Sequence, residues 1–236
     1  MILRRLATSI RKQDWFAVTI ETLIVVMGVH LGIQLGNWNG GRIQTEADNA
    51  LIVRLRDEFS GVRDGLLTDI AMGTEFYEST GRVLAALRDD VEPEDTPEWR
   101  QDLCKATFVV FLPRRPAAFA ELQDTGALSR LDDPELHSAL IRYDQEETQF
   151  QQTFPVLLAA VMNPEGHYYR AVSFNPDVEQ WVLDDPDCVT GYDWELLKLS
   201  VGELQSWVGG QSDVVNRGME QLLEVETILQ ILSEGR

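Results

Sequence analysis

The stretch Trp15 to Trp38, WFAVTIETLIVVMGVHLGIQLGNW, decides the architecture. It is mostly apolar, has a tryptophan at each end and contains one acid, Glu21. As a helix its 23 steps cover about 35 Å at ~1.5 Å per residue. A hydrocarbon core is ~30 Å thick, so the segment is long enough to span a bilayer with little tilt. Trp15 and Trp38 are the expected interface anchors, because an indole ring is half buried there while its N–H stays wet. Arg4, Arg5, Arg11 and Lys12 precede the span, which by the positive-inside bias places residues 1–14 in the cytoplasm. The exit, Gly36-Asn37-Trp38-Asn39-Gly40-Gly41, is polar and turn-like. It lacks the small-x-small site of a cleaved signal peptide. The expected organisation is a cytoplasmic tail (1–14), a transmembrane helix (15–38) and an extramembrane domain (39–236).

Within the span, Gly28, Gly32 and Gly36 form overlapping G-x-x-x-G repeats. Residues four apart on a helix share a stripe, and glycines there let a second helix come close. At 100° per residue, Ala17 and Glu21 fall near the same stripe. A carboxylate in lipid is costly, by ~2.5–3.5 kcal/mol at the bilayer centre and less near an edge. Glu21 therefore faces protein, is protonated or snorkels toward the surface. Ala17, Glu21, Gly28, Gly32 and Gly36 are the candidate helix-packing residues.

The remainder is strongly acidic. Four of the 20 basic residues and two of the 39 acids lie before Gly40, leaving 16 and 37 beyond it, a net charge of −21. Such a surface repels nucleic acid, whose binding depends on neutralised phosphates. It also keeps the domain off anionic lipid. Cys104 and Cys188 lie in the part placed outside the cytoplasm, where a disulfide is allowed. Their spacing leaves a bridge and two separate buried thiols both open.

The distal pattern is helical nearly throughout. Leu51, Leu55, Phe59, Val62, Leu66, Ile70, Val83 and Leu87 recur at the helix period, so a long helix is expected from Gln44 to about Arg88. It can continue from the span, with Asn37 to Gly41 as a bend. Asp89 to Pro97 is an acidic linker. Thr96 and Pro97 then form an N-cap with proline at the first helical position. The helix they open is expected to carry Trp99, Leu103, Cys104, Phe108 and Phe111. Arg114 and Arg115 are expected to serve as internal ion-pair partners, with an anion site as second choice. Gly126 is a helix stop, and Asp133-Pro134 opens another helix reaching about Gln145. Separate helices are expected over Phe150–Met162, Trp194–Trp207 and Asp213–Ser233, the last two divided by Gly209-Gly210. Phe174 to Tyr192 is expected to be irregular. No alternation is long enough to nucleate a sheet. The fold class expected is therefore all-α: one transmembrane helix followed by a helix bundle.

Catalytic signatures are lacking: no G-x-G-x-x-G, P-loop, H-E-x-x-H, C-x-x-C or G-x-S-x-G occurs. Asp184, Asp185 and Asp187 lack the spacing and distal Glu of a calcium loop. His167, beside Tyr168 and Tyr169, is the only histidine cluster, and it has no second ligand at metal spacing. Neither a metal, a cofactor nor an enzyme activity is expected.

Two passages, Thr19 to Asn39 and Glu121 to Tyr143, resemble a family of uncharacterised bacterial single-pass inner-membrane proteins. That family's anchor has a Glu inside an apolar run and a Gln-x-x-Asn-Trp-Asn-like exit. The resemblance covers about a fifth of the chain, and the anchor is its more specific part. It implies a Gram-negative inner membrane and a helical periplasmic domain, and it lends no activity. The three spaced glycines and His30 depart from the family pattern. Together these readings predict an accessory or interaction protein whose anchor packs on a membrane complex or its own copy. The alternative is a membrane-tethered ligand-binding sensor, although a tail of about fourteen residues is too short for a signalling domain.

Overall fold

A computed structural model describes residues 15–112, 115–131, 133–177, 185 and 187–234, with the side chains of 15–18 excluded. The fold is all-α. Helix α1 (Trp15–Asp89) is followed by α2 (Pro97–Lys105), α3 (Ala117–Asp124), a 3-10 turn (Leu128–Arg130) and α4 (Pro134–Val161). Then come α5 (His167–Ala171), β1 (Val172–Phe174), β2 (Val189–Tyr192), α6 (Trp194–Leu197), a 3-10 turn (Lys198–Ser200) and α7 (Val201–Glu234). Two compact units result, Met1–Leu51 and Ile52–Arg236.

In the first unit α1 runs through Asn37 to Gly41 without a break, so the expected bend is absent. Isolated glycines and asparagines lower helix propensity by up to ~1 kcal/mol each and do not end a helix with strong formers on both sides.

The second unit is built on three long helical segments with one shared pattern. On α7 the buried positions Leu204, Trp207, Gln211, Val214, Gly218, Gln221, Val225, Ile228 and Leu232 alternate three and four apart, with Val215 buried beside them. On α4 the buried positions are Leu136, Ala139, Leu140, Tyr143, Glu147, Phe150, Phe154 and Val161. On α1 they include Leu55, Phe59, Val62, Leu66, Asp69, Phe76, Thr80, Val83 and Leu87. That is the heptad seam of coiled-coil packing. The pairings give directions. Arg142 meets Glu224 at 2.8 Å, and Leu157 lies against Gly210. Rising numbers on α4 therefore meet falling numbers on α7, so the two are antiparallel. Ile70 touches Gly218 and Val215 touches Gly73, which makes α1 and α7 antiparallel as well. Phe59 and Tyr143 join α1 to α4 edge to face at 5.1 Å.

Two glycines are needed on that seam. A Cβ on Gly210 would fall inside the Leu157 side chain, and one on Gly73 would sit 2.9 Å from Val110 Cγ2. This explains why α7 does not break at Gly209-Gly210: Gly210 serves close helix approach within one continuous helix. The helices expected at 134–145 and 150–162 are likewise one. Glu146 to Gln149 offers no breaker, and Pro155 is absorbed inside α4 at the cost of one backbone donor.

Local rules set the ends. Thr96 Oγ1 accepts from Trp99 N, and Asp133 Oδ1 accepts from Glu135 N and Leu136 N, as the two cap-proline pairs predict. Helix α3 begins at Ala117; its N-cap residue, Pro116, offers no side-chain cap, and Glu58 on α1 supplies an acceptor to Ala118 N at 2.8 Å. Helix α1 ends in a Schellman-type turn: Val91 N donates to Ala86 O at 3.1 Å and Asp90 takes the left-handed conformation. Gly126, at φ +67°, follows the end of α3.

The 2-stranded antiparallel sheet β1–β2 is a departure from the sequence reading. Val172, the inward residue of β1, is buried, and Val189 of β2 is fully so. Strands of 3 and 4 residues are too short to show alternation. Helix α2 also stops earlier than expected, at Lys105, leaving Phe108 and Phe111 on a segment with no helix or strand.

Candidate functional site

Two features stand out, one in each unit. The first is the apolar segment of α1. Its large side chains from Ile20 to Ile43 are exposed, Ile24 to 64%, Leu35 to 62% and Trp38 to 70%. By length and composition this one helix can cross a membrane. Added Cβ atoms on Gly28, Gly32 and Gly36 would meet nothing within 4 Å, so the stripe is open. Glu21 is exposed on the same helix. It lies seven residues before Gly28, two turns away on the same side. Trp15 and Ala17 occupy helical positions, but their side chains lie outside the described residues, as do Arg4, Arg5, Arg11 and Lys12.

The second feature is a cleft of about 1260 Å³ in the distal unit. Its back is a disulfide: Cys104 at the end of α2 is bonded to Cys188 just before β2, with Cα atoms 6.2 Å apart. This resolves the alternatives that the sequence left open. One wall is the segment after α2, with Thr107, Phe108 and Phe111. Another is the C-terminal part of α4, with Phe154, Leu158 and Met162. Tyr169 of α5 and the end of β1, Phe174 to Pro176, close the rest. The aromatic rings brace one another. Phe111 sits edge-on to Phe154 at 5.0 Å, Phe150 lies 5.1 Å from Phe154, and Tyr169 packs on Phe174 at 5.7 Å. Burial raises the Tyr169 hydroxyl above its ordinary range, partly offset by its hydrogen bond with Thr107. No charged side chain lines the cleft among the described residues.

The segment after α2 is held by Gln211. This residue is buried on α7, and its Nε2 donates to Phe108 O at 2.9 Å and Ala106 O at 3.4 Å. Tyr168, fully buried, donates its hydroxyl to Leu103 O at 2.6 Å and ties α5 to α2.

His167 has a structural partner. Glu203 of α7 accepts from His167 N at 2.8 Å, Tyr168 N at 3.1 Å and lies 2.9 Å from His167 Nδ1. Burial alone would raise this carboxyl. The backbone and side-chain hydrogen bonds outweigh it and hold Glu203 below the usual carboxylate range. Arg115 pairs with Asp144 at 3.0 Å, contacts Gln123 and lies over the Phe119 ring, the ion-pair role expected of it. Arg114 lies outside the described residues. Glu147 is 3% exposed on the α4 seam, with Gln151 Nε2 donating to it at 2.8 Å. Burial raises this carboxyl, with Arg115 opposing and Asp144 reinforcing.

No group of three or more His, Cys, Asp or Glu is placed to hold a metal among the described residues, and Asp184 is not one of them. The cleft was not anticipated from sequence. Its signal was the aromatic density at 108–111, 150–154 and 168–174, of which the first two read as parts of helices and the last as a histidine–tyrosine cluster running into an irregular stretch.

No profile of a known protein family matches the chain. Comparison with curated proteins and with solved structures likewise finds no match.

Proposed function

We propose that this chain is a single-pass inner-membrane protein of the interaction or accessory type, with its N-terminus cytoplasmic and its acidic helical domain periplasmic. The observation that carries the reading is the segment 20–43, where large apolar side chains stand exposed around an open glycine stripe. Surfaces of that kind are satisfied by lipid and by other transmembrane helices. The partner surface is Ala17, Glu21, Gly28, Gly32 and Gly36, presented to a larger membrane complex or to a second copy. The four N-terminal basic residues support the orientation. A disulfide supports an oxidising compartment for the distal unit. The resemblance to the single-pass bacterial family points the same way. The proposal assigns the chain no chemistry of its own.

The test is Gly32→Leu in the full-length protein, with co-purifying chains identified from native membranes. Loss of a specific partner or of self-association supports the assignment. Unchanged association removes the stripe from the interface. A second reading, a tethered ligand-binding domain, is favoured by the distal cleft.

A further inference from the structure

We propose that the cleft between the 107–111 segment and the end of α4 binds the hydrocarbon chain of an uncharged long-chain amphiphile. The inference goes beyond the anchor reading and does not depend on what the anchor packs against.

Size and lining set the ligand class. Small-molecule sites commonly enclose ~300–1,000 Å³ and are mostly apolar with a few polar groups. This cleft, at about 1260 Å³, is larger. Among the described residues its polar side chains are Thr107, Tyr169 and Asn175, all neutral at physiological pH, and burial raises the Tyr169 hydroxyl further. A quarter of the chain is charged, yet no charged side chain lines this surface among the described residues.

Electrostatics then select against ions. A charged ligand would lose hydration in the cleft and gain no counter-charge from the described lining residues. An anion would also approach against the field of a domain of net charge −21. A neutral chain meets neither penalty, and that complementarity chooses the occupant.

The site is also preformed. Phe111 is 57% exposed yet fixed edge-on against Phe154, and Met162 is 54% exposed at the end of the same wall. The disulfide holds the back, and Gln211 pins the 107–112 segment at Phe108 O. Covering such apolar surface is favourable because it removes apolar area from water.

The experiment uses the full-length protein in phosphatidylcholine nanodiscs at pH 8. The probes are hexadecanol and palmitate, each with a diazirine in the chain. After irradiation, reduction and proteolysis, adducts are mapped by mass spectrometry. The expected result is hexadecanol adducts on the peptides carrying Phe108 to Phe111 and Phe154 to Met162, at least tenfold above palmitate. Leu158→Glu, which puts a charge into the wall, should cut these adducts at least tenfold while the melting temperature holds. Met162→Glu, on an exposed rim position, should do the same and covers the case in which Leu158→Glu does not fold. Adducts confined to residues 19–43, equal labelling by palmitate, or labelling of the cleft peptides indifferent to both substitutions would overturn the proposal.

Discussion

Removing the disulfide should expose how much of the distal unit depends on one covalent link. Cys104 and Cys188 are separated by 84 residues, and both are buried, at 1% and 9% exposure. In the chain-entropy treatment a closed loop of that length restricts the unfolded chain by about 15 cal/mol/K, or about 4.6 kcal/mol at 25 °C. Engineered bridges commonly deliver less, so ~2–4 kcal/mol is the working expectation. For a domain of this size each kcal/mol moves the melting temperature by ~2–4 °C, so the shift should lie between ~4 and ~16 °C. The variant is Cys104→Ala with Cys188→Ala, which leaves no buried polar group behind. The assay is a thermal melt of the full-length protein in one detergent, followed by helical circular dichroism. Wild type with reductant should approach the double variant. The reasoning fails if the variant melts within ~2 °C of wild type, or if the non-reduced native protein labels with two thiols on unfolding.

Three other expectations rest on single residues. Gly210→Ala should destabilise by ~1–3 kcal/mol because its Cβ has no room beside Leu157, whereas Gly209→Ala, with open space around it, should stabilise by up to ~1 kcal/mol; paired melts check both. The Glu203 carboxyl is depressed in the fold, so its stabilisation is present above the ordinary carboxylate range and lost as pH falls through its lower folded value; Glu203→Gln should cost ~1 kcal/mol at pH 7 and progressively less as pH drops below the ordinary carboxylate range, read from denaturant midpoints. Glu147 is raised, so stability is greatest below the ordinary carboxylate range and declines as pH rises through its folded value; Glu147→Gln should melt higher than wild type at pH 8, and the advantage should vanish at pH 4.

The parts of the fold written in short-range rules were readable in advance. Thr96-Pro97 and Asp133-Pro134 are self-contained caps, and the apolar period from Leu51 to Leu87 needs no partner to be recognised. What escaped depends on residues distant in sequence. Gln211, Gly218 and Gln221 sit on the α7 seam, where polar or small residues blur the apolar stripe. Their presence becomes sensible only beside Phe108, Ile70 and Tyr143. Gly210 reads as a breaker until Leu157 is placed against it. The segment after Lys105 looks like helix by its apolar spacing, but it leaves the helix, and Phe108 O is bonded instead by a partner 103 residues away. The cleft was hidden for the same reason, since its walls come from four stretches that no local pattern connects.

The Cys104–Cys188 link has a practical effect on topology mapping. It encloses α3, α4, α5 and β1 within one covalent ring. A protease that cuts a single loop inside that ring leaves both pieces tethered, and a non-reducing gel would show a band of undiminished mass. Digestion of spheroplasts would then mimic a protected, cytoplasmic domain unless the samples were reduced before electrophoresis.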